Sequence, residues 1–143
     1  MPAELSYGGK VMEQYKILVK GIVEQDGKYL VVETWYDDNI SNPYQWEFVD
    51  GAIEFGETPD AAVLRIIKEK TNIVAEISQP LYTWGLKNGN IYTVGIAYLC
   101  IAASDDVVLS DDINSYKWIE KHEIEEYIFN KYVIEDLYRA EFM

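Results

Sequence analysis

Cysteine, histidine and positive charge are scarce in this sequence, and each shortage closes a route. Cys100 is the only cysteine. A lone thiol forms no internal disulfide, and Cys100 lies in an apolar run, so it reads as a core thiol of a protein suited to a reducing cytoplasm. The only histidine, His122, stands in a charged helix start and reads as a surface residue. Twelve basic side chains face twenty-five acidic ones, for a net charge of −13. That balance leaves no electrostatic footprint for a nucleic-acid polymer or an anionic membrane. An anionic substrate would need a metal cation or a local basic pocket. No apolar run approaches the roughly 18 residues that cross a bilayer, and the opening MPAELSYGGK lacks the apolar segment of a signal peptide. The expected setting is the cytoplasm.

What is present is enough for one domain. The chain has 143 residues, 49% of them hydrophobic, and can bury a sizeable core without staples. Residues 1–13, with Pro2, Gly8 and Gly9, read as a loose leader, and 14–143 as a single domain. KILVKGIVE at 16–24 and KYLVVETWY at 28–36 are rich in β-branched and aromatic residues, and read as strands joined by the turn QDGK. A polar loop, DDNISNP, leads to YQWEFVDGAIE, a short strand running into an acidic loop. Thr58 is an N-cap, Pro59 suits the first helical position and Asp60 suits the positive end of the helix dipole. The spacing predicts a helix over 59–71, closed by Asn72 in the left-handed conformation. VAEISQPLYTWGLK and IYTVGIAYLCIA read as strands around the turn NGN, and SYKWIE as a short extended segment. The stretch from Lys121 to Phe142 has helical periodicity. Strands, helix, strands, helix, without βα alternation, predict an α+β sandwich around a mixed sheet.

The segment WEFVDGAIEFGETPDAAVLR, with IIKEKTNI directly after it, carries a resemblance. Gly51, Glu57 and Arg65 fall at the spacings of the box that marks the Nudix (MutT-like) hydrolases. Ile67 and Ile73 fill its apolar positions and Glu69 one of its paired acidic positions. The box is degenerate in its second half. Ile66 stands for the first glutamate after the arginine, Lys70 for the second of the acidic pair and Asn72 for a glycine. Val49-Asp50-Gly51 replaces the usual proline-glycine-glycine. The likeness spans about residues 14–130 and implies a Nudix-type α/β/α sandwich.

The resemblance also implies a chemistry. Nudix enzymes send water to a phosphorus of a nucleoside diphosphate linked to another group, with divalent cations neutralising the diphosphate. Mg²⁺, or Mn²⁺, prefers oxygen ligands in octahedral geometry and commonly takes one or two carboxylates plus phosphate oxygens and waters. Acids at i, i+3 and i+4 share one helix face, and here those positions are Ile66, Glu69 and Lys70. Unit charges about 4 Å apart interact by roughly 4 kcal/mol at an effective dielectric near 20. A lysine beside a divalent ion turns that attraction into repulsion, and Ile66 neither ligates a cation nor accepts a proton.

These positions define the candidate site, with an alternative beside each. Glu69 is a surviving metal ligand and catalytic group, or the i+4 partner of Arg65. Glu57 reaches the cation, or binds backbone N–H groups at the helix start. Asp50 is a compensating metal ligand, and Asp112 or Asp111 a late-loop acid that activates water. Arg65 and Gly51 enter as box residues, catalytic and substrate-binding. Lys70 binds phosphate as a point charge in the place of a lost cation, or is a solvated lysine. Ile66 lines an altered pocket or packs in the core. Trp84, Tyr82, Trp35 and Tyr44 are candidates to stack on a nucleobase, or are core residues. Two functions of different kind remain. One is a Mg²⁺-dependent hydrolase of a small nucleoside diphosphate derivative, with weakened or altered activity. The other is an inactive Nudix-fold nucleotide-binding or regulatory protein. The family's habit of dimerising leaves a homodimer open.

Overall fold

In the computed structural model the backbone is described for residues 6–7, 10–35 and 45–143, and the side chains for 12–35 and 45–143. Two short strands, β1 (Ser6–Tyr7) and β2 (Lys10–Val11), pair antiparallel. The main sheet begins with β3 (Gln14–Gln25) and β4 (Lys28–Thr34), joined at Asp26 and Gly27, whose φ values of 51° and 79° match a tight hairpin turn. Two short strands, β5 (Trp46–Glu47) and β6 (Val49–Ala52), lead into the acidic loop and helix α1 (Pro59–Thr71). The hairpin β7 (Ala75–Asn88) and β8 (Ile91–Ala102) comes after the helix, then β9 (Ile113–Glu120). The sheet order is β5-β4-β3-β8-β7, with β6 also paired to β3 and β9 to β4. It is mixed because β3 and β8 run parallel while the other main-sheet pairs are antiparallel.

The two faces of this sheet are covered by different helices. On one face α1 buries Ala62, Val63, Ile66 and Ile67 against Val19, Val23, Val49 and Cys100. The helix comes very close to the strands. A Cβ on Gly21 would lie 2.7 Å from Ile67 Cδ1, and one on Gly51 would lie 2.9 Å from Ile66 Cδ1. The caps are those the sequence announces. Thr58 Oγ1 accepts from the Ala61 N–H at 3.3 Å, and Asn72, at φ 61°, donates its N–H to Lys68 O. Cys100 is fully buried, and burial pushes its thiol up to about 12.

On the other face the C-terminal segment does not form one continuous helix. A 3-10 turn (Lys121–Glu123) passes into α2 (Ile124–Tyr127), the chain extends at Ile128 (φ −94°, ψ 109°), and α3 (Lys131–Arg139) begins anew. Asn130 explains the break: its side chain accepts from the Tyr132 N–H at 3.0 Å and caps a second helix. The extended step lets Ile124, Ile128 and Leu137 all enter the core formed with Ile22, Val31 and Phe48. The result is an α/β/α sandwich around a mixed sheet. No helix of the described residues is long and apolar enough to cross a membrane.

Because Ile67 is fully buried on the glycine seat of β3, Ile67→Ala is expected to lower unfolding free energy by about 2–5 kcal/mol. Thr58→Ala should lower it by only about 1 kcal/mol. Urea unfolding of the two variants, each read by circular dichroism, checks that order.

Candidate functional site

The acidic loop is built around one guanidinium. Arg65 Nε donates to Glu57 Oε2 at 2.7 Å and Nη2 to Glu57 Oε1 at 2.9 Å, a two-pronged pair. The same Nη2 donates to the Ala52 carbonyl at 3.1 Å, and Nη1 to Glu69 Oε2 at 3.1 Å. Glu54 lies 3.8 Å from Nη1, and its backbone N–H donates to Glu57 Oε1 at 3.0 Å. Loop and helix are thus tied by three carboxylates that converge on Arg65. The hydrogen bonds Glu57 accepts from Arg65 hold its carboxyl down at about 2, and the same bonds raise the guanidinium above its ordinary value.

After Arg65 on α1 come Ile66 and, one turn on, Lys70, the two positions singled out in the sequence. Ile66 is 3% exposed and packs on Gly51, so at this position the helix offers the sheet a hydrocarbon and no carboxylate. Lys70 Nζ lies 4.0 Å from Asp112 Oδ2. Asp112 also accepts from the Ser110 hydroxyl, whose own backbone N–H donates to Lys70 O at 3.0 Å. Asp111 is exposed beside it. Among the described residues, the group of three acidic or histidine side chains whose ligand atoms lie within 4.8 Å of one another is Glu120, His122 and Glu123, on the exposed turn after β9 and far along the chain from the box.

A second charged group, which sequence reasoning missed, lies on the sheet face opposite α1. Strand pairing sets Asp50, Lys20, Ala97 and Tyr82 in one row across β6, β3, β8 and β7, and Leu18, Gly95 and Trp84 in the next. Lys20 is only 8% exposed. Burial lowers its ammonium below the ordinary lysine value, against the pull of Asp50, Glu47 and Asp136. Burial likewise raises Asp50, and it raises Glu47 to about 7, with Asp50 adding to the rise. Lys20 and Asp50 line a cleft of about 690 Å³ whose other walls include Trp84, Asn130, Asp136 and Arg139. A smaller recess of about 80 Å³ continues past the same two residues to Glu47.

The aromatic candidates separate by position. Trp84 lies over Gly95, where a Cβ would come 2.1 Å from its ring, and it lines the cleft. Tyr82 is 7% exposed within the core, 6.0 Å from the Trp84 ring, with its hydroxyl buried and unpartnered among the described residues. Trp35 is half exposed, and Tyr44 lies outside the described residues. His122 is exposed, 3.4 Å from Glu120. The signal that points to the cleft is Lys20 itself, a charge in the middle of the apolar strand ILVKGIV. Asn130, Asp136 and Arg139 carry no such mark in the sequence.

These environments set opposite pH dependences. The raised Glu47 contributes stability that is present below the ordinary carboxylate range and lost as pH rises through about 7, and the raised Asp50 acts in the same direction. The lowered Glu57 contributes stability present above that range and lost as pH falls toward about 2. The urea midpoint is therefore expected to fall between about pH 5 and pH 7, and Glu47→Gln to flatten that fall. An equal slope in the variant would place the titration elsewhere.

Known proteins share this arrangement of strands and helices. The NUDIX domain model matches residues 14–137. The nucleoside triphosphatase NudI of Escherichia coli O81 (strain ED1a) is 27% identical over 127 residues, covering 80% of this chain and 89% of the relative. The MutT protein of Methanosarcina mazei Go1 shares the fold with a TM-score of 0.75 at 19% identity, over 90% of this chain and 94% of that one. The Ap4A hydrolase of C. elegans, solved as a binary complex, does so with a TM-score of 0.71 at 20% identity, over 87% and 93%. The structural likenesses speak for the fold, and the family model, which spans most of the sequence, decides membership: this chain belongs to the Nudix hydrolase family.

Proposed function

We propose that this Nudix domain binds a small nucleoside diphosphate derivative in the cleft between the sheet and α3, and hydrolyses it far more weakly than a domain with a complete box. The observation that carries the reading is the pair of substitutions on α1: Ile66 is buried on Gly51, and Lys70 lies against Asp112. Nudix enzymes generally use a divalent cation to neutralise the diphosphate. The residues here do not fit the multi-carboxylate site such an ion requires. Glu57 gives both oxygens to Arg65, Glu69 gives one, and a lysine stands where the family has a further acid. Only Glu69, whose side chain is 60% exposed, remains on that helix face as an acid open to an ion.

The residues retained support binding. Arg65 and Glu57 still hold the loop in the shape a bound diphosphate would meet, and Gly51 still permits α1 to approach the sheet. Asp50 lines the cleft beside Lys20. NudI, by its name a nucleoside triphosphatase, favours a nucleotide as the ligand class.

Chromatography of nucleoside triphosphates, dinucleoside polyphosphates and nucleotide sugars, with Mg²⁺ or Mn²⁺ and with a chelator, tests this. Slow, cation-dependent product is expected. Lys70→Glu should raise the rate by about tenfold or more, a barrier change of ~1.4 kcal/mol, and Glu69→Gln should abolish turnover. Lys70 is the better position to restore than Ile66, where a carboxylate would be forced into the core against Gly51. Rapid turnover by the unmodified chain, unaffected by Glu69→Gln, would refute the reading.

A further inference from the structure

We propose that Lys20 is an anion-binding residue of the cleft, which holds a phosphoryl group of the ligand by direct ammonium contact and without a divalent cation. The inference rests on the reading that the ligand carries phosphates, but the observations behind it are separate from the box. Lys20, 8% exposed, stands on the central strand β3 and lines both the main cleft and the recess leading to Glu47. Among the described residues no carboxylate lies within 4.0 Å of its ammonium and no hydrogen-bond acceptor engages it. An ammonium carries three donors, and those of Lys20 open on the cleft, because among the described residues the fully buried side-chain polar atom without a partner is the Tyr82 hydroxyl, not the lysine nitrogen.

The neighbouring cations are differently placed. Arg139, in the cleft wall, donates to Asp136 and to the Thr83 carbonyl, both at 2.9 Å. Lys70 is held toward Asp112. Lys20 is the cleft cation none of whose donors meets an acceptor among the described residues, whereas Arg139 is anchored through Nη2. Its position is set by the strand rows. Because Gly95 has no side chain, Trp84 lies across β8, and Lys20 Nζ rests 4.8 Å from the centre of its ring. The ring favours the charged ammonium and keeps it from swinging over β8. Burial works against the charged ammonium, and Asp50, Glu47 and Asp136 offset part of that effect without contacting it. A phosphoryl oxygen at Lys20 would form charge-assisted hydrogen bonds in a poorly hydrated setting, where such bonds are strongest.

The test is calorimetric titration of the full chain with inorganic pyrophosphate and with a nucleoside diphosphate, each in excess chelator and again with Mg²⁺. Binding in chelator is expected. Lys20→Met, which keeps the stem and removes the charge, should weaken it by about tenfold or more. Lys20→Arg should restore part of the loss. Lys117→Met, which removes another lysine set over an aromatic ring, should leave binding unchanged. Thermal unfolding establishes that each variant is folded. If Lys20→Met does not fold, Lys20→Arg carries the test through Trp84. Pyrophosphate should then change the tryptophan fluorescence of the parent and of Lys20→Arg, and the change should vanish in Trp84→Phe. Binding that requires Mg²⁺ and is equal in parent and Lys20→Met would overturn the role of Lys20 while leaving the nucleotide reading intact. Absence of binding by either probe, with or without cation, would overturn both.

Discussion

Helix α1 can seat on the sheet only because Gly21 and Gly51 carry no side chain where Ile67 and Ile66 press in. Close packing at that depth determines the position of the rest of the helix, because interiors tolerate little displacement before contacts are lost. With Ile66 and Ile67 seated, Arg65 faces the loop and gathers Glu57, Glu69 and the Ala52 carbonyl. Lys70, one turn on, reaches Asp112 in the segment before β9. The loop has its shape because its counter-charge is delivered by a helix that cannot shift.

The same seat suits the apolar residue at position 66, where the helix presses directly on Gly51 and Ile66 gains packing. Lys70 then adds a positive charge within Coulombic range of Glu47 and Asp50. Lysines and carboxylates therefore stand close to one another beneath a cleft of mixed charge.

Much of the fold was legible because local rules and burial agree. Val- and Ile-rich runs became β3, β4 and β8, and the Asp-Gly turn appeared with both central φ values positive. Thr58, Pro59 and Asn72 bounded α1 as their chemistry requires. The C-terminal periodicity was true of the buried residues but silent about Asn130, whose capping bond divides the segment into α2 and α3. Periodicity reports which side chains are buried, and a chain can bury the same residues with an extended step between two helices.

The sequence by itself determined the family, the mixed-sheet class and the ends of α1, since these depend on spacing and residue type along one stretch of chain. Only the tertiary structure decided which partner each charge takes. It paired Glu57 with Arg65, laid Ile66 on Gly51, and brought Lys20, Asp50, Trp84 and Arg139 to one cleft. The reason is geometric. Partners from β3, β6, β7 and α3 are distant in sequence, and the register between strands, which sets them side by side, is fixed by the packing of both faces of the sheet at once.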